Sequence, residues 1–237
     1  MLTLYHARIS PNSRRVWITL LEKGLEFELV EVKMDGEQFK PEFLTINPFH
    51  HIPVLVDDGF NIVESLAILD YLEVKYPTPA MLPKDAKDLA IARIVQLVTV
   101  NELVPATSTF LLQFLGLPGG DPEEIETAQR KIATVLKFFE NLLDDRPYFA
   151  SHNLTLAEVV AGTVVTRLPK VGISLSDYPK LSAWCDRLVA RTTWQATEPT
   201  PEVVEAFKSI VVARMANSEG RRQEAEGRRQ KAKGTHA

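Results

Sequence analysis

A small α/β module followed by an all-helical region is the fold class this sequence predicts, and three observations predict it. Strand and helix signals alternate through the first 77 residues. Beyond residue 86 strand signals nearly vanish and apolar residues recur at helical spacing. Between the two, residues 78–86 carry Pro79 and Pro83 and read as a linker.

Each element follows from its own residues. Leu2 to His6 is a short strand, and Arg14 to Lys23 places Val16, Trp17, Leu20 and Leu21 on one helical face, with Gly24 as its stop. Phe27 to Val32 alternates as a second strand, so the three form a parallel, right-handed unit. Pro53 cannot donate a backbone hydrogen bond and suits a strand start. Asp58-Gly59 fits a two-residue hairpin turn, with Phe60 to Val63 returning as the next strand. Glu64-Ser65 then opens a helix carrying Leu66, Ile68, Leu69 and Leu72, with Tyr71 and Tyr76 beside them. In the second half, residues 87–115, 121–144, 155–168, 178–192 and 201–214 read as helices, the first kinked or interrupted at Pro105. Thr155 and Glu158 form a capping-box pattern, flanked by Leu154 and Val159 as a hydrophobic staple. The expected organisation is therefore an α/β domain at 1–77, a linker at 78–86 and a helical domain at 87–214. A charged tail at 215–237 repeats Glu-Gly-Arg-Arg-Gln, holds almost nothing apolar, and is expected to be a disordered, solvated end.

Composition narrows the function classes. At 237 residues, with 45% hydrophobic and 24% charged residues, the chain is an ordinary globular protein with ample core material. No apolar run of membrane-spanning length and no secretory leader is read in it, and a cytoplasmic setting is the expectation. A single cysteine, Cys185, excludes an intramolecular disulfide framework and a Cys-rich metal site. The net charge of −4 divides into −5 over residues 1–80, −2 over 81–214 and +3 over 215–237. An acidic first module argues against nucleic acid as its ligand. An anionic small molecule there would need local cations and backbone amides.

The chemistry-bearing segments suit an extended, peptide-like ligand. A proline-started strand leaves backbone groups for pairing, and the Glu64-Ser65 helix start can hold a carboxylate. Ser10 precedes Pro11 just ahead of a helix, so its hydroxyl either caps that helix or faces a ligand at the positive end of the helix dipole.

Taken together, Ser10, the Asn47-Pro48-x-x-x-Ile52-Pro53-Val54 stretch, Glu64-Ser65-x-Ala67-Ile68-x-x-Tyr71-Leu72 and the helical second half resemble the cytosolic glutathione transferase family, in its serine-type theta, phi and bacterial-like branches. The resemblance spans residues 1 to about 200. It implies a thioredoxin-like first domain binding glutathione as co-substrate, with no permanently bound cofactor and no metal. It implies a helical domain lining the pocket of a small hydrophobic electrophile, and a homodimer. By position, Ser10 matches the catalytic hydroxyl, with Ser13 the alternative for that contact and Ser13 and Arg14, one turn on, as assistants. Pro53, after Ile52, matches a proline preceded by a cis bond, and Val54 the residue whose backbone pairs with the cysteinyl part of glutathione. Glu64 and Ser65 match the holders of the γ-glutamyl end, while His51 and Lys40 are candidates for the glycyl carboxylate; Lys40 also reads as a solvated loop lysine. Tyr5, Asn101, Glu102, Thr107, Phe110 and Phe114 are candidates for the electrophile pocket, each equally readable as packing. Trp184 and Cys185 read as core.

The implied reaction follows from thiol acidity. A free thiol with a pKa of about 8.5 is only about 3% thiolate at pH 7, and lowering that pKa to about 6.5 raises the reactive fraction roughly 25-fold. A hydroxyl donating to sulfur at a helix start acts in that direction. Isomerisation, dehalogenation or peroxide reduction on the same site, or non-catalytic ligand binding, are the alternatives. The zeta-type run of serines and a cysteine before Trp-Arg-Val is absent, which weakens maleylacetoacetate isomerase. His50 stands where many members carry glycine, so a different loop conformation is expected there.

Overall fold

Alternation along β1 (Leu2–His6) buries Leu2, Leu4 and His6 and turns Thr3 and Tyr5 to the opposite face. The computed structural model describes residues 1–117 and 120–234, with side chains through 217. Beside β1 lie β2 (Phe27–Glu31), parallel to it, and β3 (Val54–Asp57), antiparallel; β4 (Phe60–Val63) closes the sheet in the order β2-β1-β3-β4. The expected turn forms with Asp58 at φ 48° and Gly59 at φ 84°, the paired positive values that a two-residue hairpin demands and that Asp-Gly tolerates.

Helix α1 (Pro11–Glu22) and α3 (Ser65–Lys75) lie on the Leu2–Leu4 face, joined by Val16, Ile18, Leu20, Ile68, Leu69 and Leu72, all fully buried. Each such side chain contributes about 1.5–3 kcal/mol by leaving water. On the other face, Tyr5 packs with Val32, Phe43 and Val54, covered by the short α2 (Pro41–Leu44). Residues 78–86 are tied down rather than slack. Lys23 Nζ donates to Tyr76 O and Pro79 O at 2.8 and 2.9 Å and pairs with Glu73, whose carboxylate accepts from Met81 N at 2.9 Å.

The predicted helices appear with their ends set by proline and capping residues. Helix α4 (Ala86–Val98) starts at an Asp85 cap, and the expected interruption precedes Pro105: Thr99–Leu103 is a π-helical turn, followed by α5 (Val104–Ser108) and α6 (Leu111–Phe114). Val104 N bonds to Thr99 O, five residues back, which opens the ladder just where the proline ring would collide with the preceding turn. By length and composition Ala86–Ser108 is apolar enough to cross a membrane, with a mean hydropathy of 1.4, although Arg93, Asn101 and Glu102 break any continuous apolar run. Its Ala92, Val95, Thr99 and Leu103 are buried in the core it shares with α8.

Helices α7 (Pro122–Leu142), α8 (Leu156–Val165), α9 (Pro179–Val189) and α10 (Thr192–Thr197) complete this unit, which ends at Glu198. Gly162 of α8 sits where an added Cβ would lie 2.5 Å from Leu188 and 3.3 Å from Trp194, so no side chain fits at this crossing. Trp184 is fully buried and Cys185 nearly so, as read from the sequence.

The second unit, 199–237, is a helix, α11 (Pro201–Gly234). It runs through the segment expected to be disordered, because Ala, Glu, Gln, Arg and Lys favour helix and offset Gly220 and Gly227, which cost about 1 kcal/mol each. The last part of that expectation, residues 235–237, lies outside the described residues.

Candidate functional site

Between the start of α1, the loop before β3 and the start of α3 is a cavity of about 300 Å³ lined by Ser10, Asn12, Met34, His50, His51, Ile52, Pro53, Glu64 and Ser65. Three local features shape it. Ser10 is the N-cap of α1, its hydroxyl oxygen accepting from Ser13 N at 3.3 Å. That bond uses an oxygen lone pair and leaves the hydroxyl proton to donate into the cavity, so cap and ligand contact are compatible in one residue. The loop is braced by fully buried Asn47, whose side chain donates to His51 O at 2.8 Å and accepts from Phe49 N at 3.0 Å. His50, at φ 50°, adopts the left-handed conformation that favours glycine. The Ile52–Pro53 bond is cis, as the resemblance implies.

The third feature is Glu64, at φ 65° and ψ 116°, a backbone conformation costing of order 1–3 kcal/mol for a residue other than glycine. This conformation points the exposed Glu64 carboxylate toward His51, with Oε1 3.8 Å from Nδ1. Ser65, buried at the first position of α3, accepts from Arg15 Nη1 at 3.4 Å. Acceptor, helix N-terminus and hydroxyl are thus placed for a ligand carrying both an ammonium and a carboxylate.

Several candidates fall elsewhere. Val54 lies inside the sheet, opposite Tyr5 of β1 and Val63 of β4, and does not line the cavity; Ile52, outside the strand, is on the cavity wall. Ser13 is buried with its hydroxyl accepting from Ala7 N at 3.2 Å, a bond that closes the β1–α1 turn. Arg14 turns away to α10, with Nη2 donating to Trp194 O at 2.9 Å, Nε to Thr197 Oγ1 at 3.2 Å, and Nη1 2.6 Å from Glu198. Neither Ser13 nor Arg14 lines the cavity, because α1 presents only its first turn there.

Lys40 and Tyr5 line a separate cavity of about 380 Å³ with Val32, Phe43 and Ile46, on the opposite sheet face. Asn101 and Glu102 line a third, of about 620 Å³, with Pro105, Asp121, Thr127 and Lys131 against α7. Phe110 is buried in the core, and Thr107 Oγ1 bonds to Val104 O at 3.0 Å. Phe114 lines none of these cavities. From beyond the end of α8, Arg167 reaches the segment before Ser10, donating from Nη1 to Ile9 O at 3.3 Å.

Sequence reasoning did not assign Asn12, Met34 or Arg167. Asn12 lay inside the Ser10 segment and could have been included; a lone methionine after a strand and an arginine beyond a helix end carry no local signal.

Comparison with known proteins follows the same geometry. The family model described as the glutathione S-transferase N-terminal domain matches residues 4–80, and that of the C-terminal domain matches 103–192. The chain is 31% identical to mouse (Mus musculus) maleylacetoacetate isomerase over 83% of its own length and 91% of that protein's. It is 33% identical to glutathione S-transferase F10 of Arabidopsis thaliana, over 82% of this chain and 95% of the relative. Among solved structures, glutathione transferase F7 from Populus trichocarpa superposes with a TM-score of 0.73 at 28% identity, covering 83% of this chain and 97% of that one. With both domain models matched in order, a thioredoxin-like sheet and a helical second region, the chain belongs to the cytosolic glutathione transferase family.

Proposed function

We propose that this chain is a glutathione transferase that adds the glutathione thiolate to small hydrophobic electrophiles in a cytoplasmic, detoxifying role. The observation that carries the reading is the cavity that gathers Ser10, His51, Ile52, Pro53, Glu64 and Ser65 from three separate elements. The γ-glutamyl ammonium meets the Glu64 carboxylate, and its carboxylate meets the Ser65 hydroxyl and the first N–H groups of α3. The backbone of Ile52 pairs with the cysteinyl residue, which brings the sulfur toward Ser10 at the positive end of α1. Ser10 donates its proton to sulfur as a hydrogen bond and is not a nucleophile. The carbon–sulfur bond forms as the electrophile's leaving group departs or its double bond takes up the electron pair. His51 contacts the glycyl carboxylate.

The electrophile wall is proposed to come from the helical region, with Thr107 and Phe114 the remaining candidates of the original set. The domain limits 1–77 and 87–214 belong to the same proposal; α4 begins at Ala86, and 214 falls within α11. Homodimerisation is supported by exposed apolar side chains, Val74 at 83%, Phe60 at 59%, Leu97 at 50% and Ile94 at 41%. Sedimentation at micromolar concentration checks it: a monomer rejects this part.

Glutathione-dependent isomerisation is the second reading, favoured by the likeness to maleylacetoacetate isomerase. A panel of chlorodinitrobenzene, isothiocyanates, haloacids, hydroperoxides and a cis-enone diacid separates the readings by which substrate turns over. The decisive test of Ser10 is the ultraviolet thiolate absorbance of bound glutathione followed against pH. In Ser10→Ala the titration moves upward by about one to two units and turnover falls more than affinity. An unmoved titration would remove Ser10 from the mechanism, and an absence of glutathione binding would remove the function.

A further inference from the structure

Arg15 is 1% exposed, and no carboxylate oxygen lies within 4 Å of its guanidinium among the described residues. Nη1 reaches Ser65 Oγ at 3.4 Å, while Nε and Nη2 have no hydrogen-bond partner among the described residues. Its neighbour Arg14 is equally buried but has Glu198 at 2.6 Å, and Lys23 is equally buried but has Glu73 at 2.7 Å. An arginine stays charged near neutral pH even where burial lowers its pKa to about 10, as it does here with no carboxylate acting against it. A buried, unpaired cation destabilises the fold, and the arrangement makes physical sense once an anion sits opposite it.

The position of Ser65 says where that anion goes. Its hydroxyl is the single described contact of the Arg15 guanidinium and also forms part of the cavity wall, at the first position of an eleven-residue helix whose N-terminus favours negative charge. We infer that Arg15 is the buried counter-charge of the ligand's α-carboxylate at the γ-glutamyl end, acting through Ser65 as a positioning residue rather than by touching the ligand. The inference rests on the proposed glutathione site and extends it: the cavity selects ligands with a free α-carboxylate, and the ligand supplies the charge the fold lacks. By donating to Ser65 Oγ, Arg15 directs the hydroxyl proton into the cavity, where the carboxylate accepts it.

Calorimetric titration with glutathione, and with the analogue whose γ-glutamyl α-carboxylate is an amide, tests this on the full chain. Wild type is expected to prefer glutathione by about 10- to 100-fold, the scale of one charge acting through Ser65 over roughly 6–12 Å at an effective dielectric near 20. Arg15→Met is expected to lose most of that preference, to within about threefold of parity, while Arg15→Lys retains most of it. Without ligand, Arg15→Met is expected to melt no lower than wild type, and saturating glutathione shifts its melting temperature less. Equal loss of affinity for both ligands in Arg15→Met, with their ratio unchanged, would overturn the role while leaving the glutathione site intact. Should Arg15→Met not fold, wild type still decides, since parity between the two ligands overturns the inference. Failure of wild type to bind glutathione at all would instead strike the proposed function.

Discussion

Two helix starts in this molecule use the same pair of groups, a carboxylate and a hydroxyl, to opposite ends. At the start of α8, Thr155 Oγ1 accepts from Ala157 N at 3.1 Å and donates to Glu158 at 2.6 Å. Glu158 also accepts from Thr155 N at 2.9 Å and Phe149 N at 2.7 Å, and the whole group is buried. At the start of α3, Glu64 makes no cap hydrogen bond, is held in a costly backbone conformation, and leaves its carboxylate exposed. Ser65 beside it faces a cavity on one side and an unpaired arginine on the other. The first start satisfies its own donors and stabilises the fold; the second leaves acceptor, donor and charge for something else. Accounting for hydrogen bonds separates them where residue type does not.

The sharpest break of this contrast is Glu158→Ala. It strands two buried N–H groups and a hydroxyl, each worth about 1–3 kcal/mol when unsatisfied, so a loss of about 4 kcal/mol is expected in denaturant unfolding. Activity per folded molecule stays at the wild-type level, since the cavity lies on other elements. A loss below about 1 kcal/mol would mean that the α8 start is not the anchor described.

Glu158 also carries a pH signature. Burial pushes its carboxyl up from 4.5 to about 7, with the surrounding donors pulling the other way. Between those two values the folded protein holds the proton and the unfolded chain does not, so this group's contribution falls as pH rises, by about 3 kcal/mol across the window. Glu158→Gln cannot titrate, and its stability profile from pH 4.5 to 7 is expected to be flatter than that of wild type. Parallel profiles would contradict the shift.

This contrast also sets what could be read from the sequence. The capping box was legible because its partners lie three residues apart, and the hairpin because Asp58-Gly59 carries its own backbone preference. Ser10, His51, Ile52, Pro53, Glu64 and Ser65 were legible as motif positions, each at the end of an element that the alternation of strand and helix had already located. Val54 falls one position past the cavity wall because where β3 begins to pair decides which residues of this stretch border the cavity, and single-strand reasoning does not see that. The helical candidates failed for a different reason. Apolar spacing shows that residues 87–115 have a buried face but not what it is buried against, so Phe110 went to the core and Asn101 and Glu102 to a cavity against α7. Arg15 was invisible because it sits in an apolar-periodic helix, where an arginine reads as a solvated side chain until its burial is seen. The short α10 offers too few turns to show a period.

A smaller effect is expected on the ligand side. Ser65→Ala removes a charge-assisted hydrogen bond and should weaken glutathione binding by about 1.5–3 kcal/mol, read by calorimetry, with a smaller loss of stability, about 1 kcal/mol, from the long Arg15 contact it also removes. If affinity holds while the protein is destabilised, the α3 start is a structural cap like the one on α8, and the distinction between them collapses.

The smallest effect is the mirror of that one. Thr155→Ala takes away the hydroxyl that caps α8 but leaves the Glu158 carboxylate bonded to Thr155 N and Phe149 N, so the network is thinned rather than broken. The cost of losing such a cap is typically about 1 kcal/mol, and the residual carboxylate bonds keep it from growing toward the Glu158→Ala value. Glutathione affinity and turnover are expected to stay at wild-type levels, because no residue of the cavity contacts Thr155. Measured together, Ser65→Ala and Thr155→Ala form a crossed pair, one moving binding more than stability and the other stability without binding. A Thr155→Ala protein that unfolds at the wild-type midpoint yet binds glutathione more weakly would reverse the assignment, placing the α8 start in communication with the site.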